Sequence, residues 1–245
     1  MKKTFVVVFV VAAVLSACSS PPPSAAPAPT QVPVVVQPTE IPPTVAPSPT
    51  SGPQQYFTEG FDEKSSDWKT LYMPPGSSLS DTPIDKVSTN IKDGFLQFDI
   101  EGTYIGAFST YEPFEYKDVR IDTRVENHGN NTNDVALMCR YSQDGWYEFN
   151  IESSGLYFFN YISIGKDGRT HIAQLAEGGS NSIKQDVNEY GMACQGPSIS
   201  MYINGSVVKT VKDNNLISGK VAVQGFSLQR LPVKLYFDWV KISQP

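Results

Sequence analysis

The chain has 245 residues, 40% of them hydrophobic and 18% charged, with 25 Asp and Glu against 19 Lys and Arg and a formal net charge of −6. An acidic chain without a Lys/Arg cluster lacks the electrostatic footprint of a nucleic-acid binder, and its balance argues against hugging an anionic lipid surface. Three cysteines and two histidines leave no His/Cys spacing for a metal site.

Met1-Lys2-Lys3 is a short basic leader. Thr4 to Leu15 is an apolar run of about a dozen residues, too short to span a bilayer as a stable helix but right for a signal-peptide core. It ends in Leu15-Ser16-Ala17-Cys18. Leader, core and Leu-Ser-Ala-Cys in that order resemble a bacterial lipoprotein signal. The resemblance implies removal of residues 1–17, diacylglyceryl attachment to the Cys18 sulfur, and acylation of the new amino terminus by a palmitate-type chain. Two or three acyl chains anchor stably where one is marginal. The expected address is the extracytoplasmic face of a membrane, anchored to it and not spanning it. The alternative is an ordinary secretory signal with an incidental Cys. Losing the two lysines Lys2 and Lys3 takes the net charge from −6 to −8.

Residues 18–53 read as a linker. Ser19 to Pro53 holds twelve prolines in thirty-five residues, and Glu40 is its only charge. Such a segment cannot bury a core, and Pro removes the donors that a helix or sheet needs, so it is expected to be disordered. In polyproline II, at about 3.1 Å per residue, the tether reaches on the order of 100 Å. Residues 54–245 are long enough for one domain with a sizeable core.

That domain reads as all-β. Asn90 to Ile100 is a strand pair around Lys92-Asp93-Gly94, and Tyr104 to Tyr111 is a further strand. Asp118 to Glu126 alternates apolar and polar residues, the period-two pattern of a strand with one wet face. Asn133 to Ile164 holds three apolar runs separated by Gln143-Asp144-Gly145 and Ser153-Ser154-Gly155, and reads as a three-stranded antiparallel meander. Thr170 to Ala176 is a strand, and Ser182 to Val187 is the best helical turn in the domain. Gly191 to Cys194 and Ser198 to Asn204 follow, and Asn204-Gly205 accepts the positive φ that a type I′ hairpin turn requires. Val207 to Val211, Lys220 to Leu228 and Val233 to Ile242 complete roughly twelve to fourteen short strands, the pattern of a sandwich or jelly roll.

Three segments in order carry a second resemblance. Phe57-Thr58-Glu59-Gly60-Phe61-Asp62 with Trp68 looks like the first strand of concanavalin A-like, laminin-G-like domains. Asn188 to Cys194 followed by Ile199 to Gly205 looks like their strand and Asn-Gly hairpin, and Lys234 to Ile242 like their last strand. The resemblance covers most of residues 54–245 and implies a jelly-roll sandwich of two antiparallel sheets. The family includes lectins, laminarinase-like glycosidases, 3-keto-disaccharide hydrolase-like lipoprotein domains and domains without an activity, so fold alone does not fix function.

Cys139 and Cys194 remain once Cys18 is lipidated, in an exported chain where disulfides persist. Both lie in strand-like runs and are expected to pair, contributing roughly 4 kcal/mol in the chain-entropy model; the alternative is two buried free thiols. Period two splits the meander into faces. Val135, Leu137, Cys139 and Tyr141 share one face, and Ala136, Met138 and Arg140 the other. Tyr147, Phe149 and Ile151 belong to the core, which places Trp146, Glu148, Asn150 and Glu152 outside. In the resembling folds the outer face can be the concave, ligand-bearing one, so the resemblance makes Arg140, Trp146, Glu148 and Asn150 the expected ligand-binding set. Planar polar groups pair with sugar hydroxyls and an indole stacks on the apolar sugar face. The alternative is a solvated face with an Arg–Glu pair of little energetic consequence.

Glu148-Phe149-Asn150-Ile151-Glu152 also looks like the Glu-x-Asp-x-Glu strand of laminarinase-like retaining glycosidases, with Asn150 where Asp would stand. Retention needs carboxyls about 5–5.5 Å apart, and strand positions four residues apart differ by about 13 Å in rise. A hydrolase using Glu148 and Glu152 is thus the rival to a non-catalytic glycan-recognition domain, and an interaction module without a small-molecule site is the third reading. His128 and His171 have no Ser elbow or free Cys to serve, so a nucleophilic triad is not expected. The family resemblance matches Glu59 and Asp238 to the carboxylates of a structural calcium site; the alternative is two exposed carboxylates at strand ends. No other cofactor is expected.

Overall fold

The computed structural model describes residues 52–74 and 79–245. The leader, Cys18 and nearly all of the linker lie outside the described residues. Fifteen strands run in chain order: β1 (Phe57–Glu59), β2 (Trp68–Met73), β3 (Val87–Lys92), β4 (Phe95–Ile100), β5 (Gly106–Tyr111), β6 (Val119–Asn127), β7 (Asn133–Ser142) and β8 (Gly145–Glu152). The remainder are β9 (Leu156–Ile164), β10 (Thr170–Gly179), β11 (Val187–Gln195), β12 (Ser198–Ile203), β13 (Ser206–Lys212), β14 (Lys220–Ser227) and β15 (Val233–Ser243).

They form two antiparallel sheets. One has the order β13-β12-β11-β6-β15-β4-β3, with β1 added beside the far half of β15; the other is β10-β9-β8-β7-β14-β5-β2. The predicted meander is β7-β8-β9, at the heart of the second sheet. The turns follow their residues: Asp93 (φ 55°) and Gly94 (φ 76°) close β3–β4, and Asn204 (φ 48°) and Gly205 (φ 81°) close β12–β13. Both are pairs of positive φ, as a two-residue I′ turn demands.

The core lies between the sheets. Ile121, Met192, Leu235 and Phe237 come from one side and Leu137, Tyr147, Phe149 and Val223 from the other, all buried. Cys139 on β7 and Cys194 on β11 form the expected disulfide, with Cα atoms 6.7 Å apart, and so join the two sheets through their shared core. Its bond closes a sequence separation of 55 residues.

The predicted helical turn over Ser182–Val187 does not form; no helix occurs among the described residues. Two asparagine side chains take up the polar backbone groups that a helix would have paired. Asn188 accepts from Lys184 N at 2.8 Å and donates to Lys184 O at 2.8 Å, while Asn204 Nδ2 donates to Ser182 O at 2.6 Å. Side chains that bond backbone locally compete with helix in this way.

Candidate functional site

The period-two assignment holds along β8. Tyr147, Phe149 and Ile151 are buried in the core, and Trp146, Glu148 and Asn150 project from the outer face of the seven-stranded sheet. It fails at Arg140. Between the pairs Ala222↔Met138 and Lys220↔Tyr141, β7 places Cys139 and Arg140 against Val221 alone. That is a β-bulge, and Arg140 adopts φ 55° within it. One extra residue turns the following side chains over. Arg140 therefore points inward, 1% exposed, and does not belong to the outer set. Its guanidinium donates to Lys117 O (3.1 and 3.3 Å), Leu216 O (2.8 Å) and Gly196 O (2.7 Å). Tyr141 takes the outer place predicted for Arg140, against Trp146 and Phe108 at centroid distances of 5.7 and 5.3 Å.

Beside this aromatic cluster a groove of about 220 Å³ opens on the outer face. Register brings two of its polar groups together: Ala136 on β7 pairs with Asn150 on β8 and with Gln224 on β14, and both of these line the groove. Asp134, on the same face two residues earlier, stands opposite Glu152 and Phe226. Tyr104 and Ile172, 51% and 69% exposed, form the rim.

The carboxyls here have unequal partners. Glu148 Oε2 accepts from Trp146 Nε1 (3.2 Å) and Oε1 from Asn160 Nδ2 (3.4 Å). Burial nonetheless pushes the Glu148 carboxyl above its ordinary range. Burial and then the charges of Glu152 and Glu148 push Asp134 up to about 7, against a hydrogen bond from Asn150. Among the described residues, no donor reaches Asp134 Oδ1 or Gln224 Oε1, although both atoms are buried. An unpaired buried acceptor costs about 1–3 kcal/mol. Glu152 lies at the strand end, where its Oε2 accepts from Ser154 Oγ at 2.8 Å. Trp146 is 3% exposed, so its indole orients Glu148 and presents little surface for stacking; Tyr104 and Phe226 present more.

Sequence reasoning passed over Asp134, Asn160, Gln224 and Tyr104. Asp134 had a signal, since it shares strand parity with Ala136 and Met138. A larger hollow of about 350 Å³ lies on the outer face of the other sheet, around Arg120, Tyr202 and Trp239. Two of its charges are paired with each other: Arg120 Nε and Nη2 donate to Asp122 at 2.7 and 2.8 Å, and the guanidinium lies 4.0 Å from the Tyr202 ring centroid; Glu189 and Lys241 line the hollow as well.

The calcium expectation fails a test of fit. Glu59 accepts from Phe61 N (3.0 Å) and Trp68 Nε1 (3.4 Å), and Asp238 lies 3.3 Å from Arg124 Nε. A cation would compete with a guanidinium at Asp238.

No family model and no curated protein matches the chain. Solved structures do. A glycoside hydrolase family 16 endo-glucanase from Bacteroides ovatus has a TM-score of 0.56 at 13% identity, over 76% of this chain and 99% of that one. A Bacillus subtilis protein with a galectin-like fold has a TM-score of 0.57 at 9% identity, over 77% and 94%. The laminarinase catalytic domain of Thermotoga maritima has a TM-score of 0.53 at 11% identity, over 78% and 98%. The fold is thus a concanavalin A-like jelly-roll sandwich, as the sequence led us to expect. At these identities the likeness carries the architecture and no activity.

Proposed function

We propose that the groove beside Trp146 binds a glycan without cleaving it, on a domain that the Cys18 lipid anchor and Pro-rich tether hold at the extracytoplasmic surface. The observation that carries this reading is the pair of buried, unpartnered acceptors on the groove floor, Asp134 Oδ1 and Gln224 Oε1, below an exposed rim of Tyr104 and Ile172. A few convergent polar groups set among apolar walls are what a sugar needs from a protein. The volume of about 220 Å³ suits one ring inside the groove and its neighbours along the rim. The other sheet's hollow is larger, but none of its lining residues is among those with a buried side-chain atom left without a partner, which is why we place the ligand here.

Hydrolysis is the second reading, and one observation favours it: two carboxyls with raised proton affinity, Glu148 and Asp134, line the same groove. Against it stand Asn150 in place of an Asp and a Glu152 turned to Ser154. A glycan array with the full chain, repeated with Asn150→Ala and Gln224→Ala, tests binding. Spots that survive both substitutions, or a blank array, would overturn the reading. Reducing sugar released from β-glucan by the chain, and abolished in Glu148→Gln, would establish the hydrolase instead. For the anchor, radiolabelled palmitate is expected to enter the chain in cells and to be lost in Cys18→Ser.

A further inference from the structure

We propose that the sugar bound in this groove carries a protonated amine, and that its ammonium group sits between Asp134 and Gln224. The inference rests on the groove being a glycan site and specifies which glycan it takes.

Three features converge. First, the ionisable groups that face Asp134 all have one sign. β8 presents Glu148 and Glu152 with the neutral Asn150, β14 presents Gln224 and Phe226, and the turn before β5 presents Tyr104. Among the described residues, no Lys, Arg or His lines the groove. An anionic sugar would enter a negative field of low dielectric, where like charges repel most. Second, both orphaned atoms are acceptors, on side chains 7% and 4% exposed. Once Asp134 has given up its proton neither atom has a donor, so a ligand that ionises Asp134 must itself donate at this spot. A hydroxyl brings one hydrogen, whereas an ammonium brings three together with a charge of the sign the field favours. Third, Phe226 and Tyr104 border the same space, and aromatic faces attract cations.

The free protein holds Asp134 protonated through the acid side of neutrality, because burial and the Glu152 and Glu148 charges disfavour its anion. An arriving ammonium reverses that balance, so Asp134 ionises and its proton leaves to solvent. Charge and atoms balance: a cation enters and a proton departs. A neutral sugar has no such effect. Proton release thus marks the amine at Asp134 and distinguishes it from hydroxyl binding anywhere else in the groove.

The test is titration calorimetry on the full chain at about pH 6, in two buffers of different ionisation enthalpy. The probes are β-1,4-linked glucosamine oligomers, the same oligomers N-acetylated, and cello-oligomers of equal length. The glucosamine form is expected to bind at least about tenfold tighter than the other two, a difference that one charge pair supplies, with a net release of protons equal to the ionisation of Asp134 less the uptake by the fraction of amine that is neutral at this pH. In Asp134→Asn both the preference and the proton release are expected to vanish. The ligand comparison is made on the unsubstituted chain, so it stands even where the variant folds poorly. Equal or weaker binding of the amine form, or amine preference without proton release, would overturn this assignment and leave the groove a glycan site. Failure of all three oligomers to bind would remove both.

Discussion

Arg140→Ala tests whether the bulge in β7 places this side chain in the interior. The guanidinium spans three backbone carbonyls, those of Lys117, Leu216 and Gly196, from a position 1% exposed. Truncation leaves the Leu216 carbonyl unpaired in a buried setting at about 1–3 kcal/mol, and weakens the two partly solvated ones by about 0.5–1.5 kcal/mol each. Relief of the cost of burying the charge offsets part of this. The net loss comes to about 3 kcal/mol, which for a domain of 150–250 residues lowers Tm by about 6–12 °C. On a solvated outer face the same substitution would change stability by at most about 0.5 kcal/mol. Thermal unfolding followed by circular dichroism reads the difference. Arg140→Lys, which keeps the charge but cannot span three carbonyls, is expected to fall between. An Arg140→Ala variant melting within about 2 °C of the parent would refute the inward placement.

Replacing Cys139 and Cys194 together is expected to cost about 4 kcal/mol, less any strain the bond stores, because the bridge closes a loop of 55 residues that would otherwise be free in the unfolded chain. Thiol labelling of the denatured, unreduced domain should find neither cysteine, and two labelled thiols would sink the bond. Asp134 is raised from 3.8 to about 7, so the folded state holds a proton that the unfolded chain has lost. Stability should then fall as pH rises from about 4 to about 7, by on the order of 4 kcal/mol from Asp134 alone, and Asp134→Asn should remove that share of the slope in Tm, leaving the part of the same sign that the raised Glu148 carboxyl contributes. Millimolar calcium is expected to leave Tm unchanged, since Asp238 is already beside Arg124; a rise that Asp238→Ala removes would reinstate the metal site.

The sequence was legible where strands run regularly. β8 pairs without a slip from Gly145 to Ile151 on β9, so period two sorted Trp146, Glu148 and Asn150 from Tyr147, Phe149 and Ile151. Cys139 and Cys194 could be paired because both lie in strand-like runs and the expected lipid signal set Cys18 aside. Arg140 could not be placed, because a bulge shifts parity and nothing in Cys-Arg-Tyr announces one. The condition that permits it lies far along the chain: a Cβ at Gly219 (φ 154°) would come within 2.5 Å of Arg140 C and Tyr141 O. Only a glycine there lets the two segments approach so closely. Ser182–Val187 misled for a similar reason, since the asparagines that satisfy its backbone include one, Asn204, from a hairpin twenty-two residues beyond Ser182. Gln224 was invisible as a site residue until β14 was known to lie beside β7.

The same bulge links the buried Arg140 to the groove. By turning Arg140 in, it turns Tyr141 out, onto the Trp146 ring. Trp146 Nε1 in turn donates to Glu148, which lines the groove next to Asn150. The interior anchor and the groove carboxyl are thus joined through two aromatic rings. A residue that acts only through this chain should affect binding more than folding. Tyr141→Ala leaves the Arg140 bonds in place and removes a partly buried ring, so its cost to stability should stay near the typical ~1 kcal/mol of a point substitution. With that wall gone, Trp146 gains rotamers and Glu148 loses one of its two donors, keeping Asn160. Sugar affinity should drop several-fold while Tm moves by only about 2–4 °C. Unchanged affinity in Tyr141→Ala, measured by calorimetry beside Arg140→Ala, would show that the groove is held by the sheet alone and that the bulge serves stability.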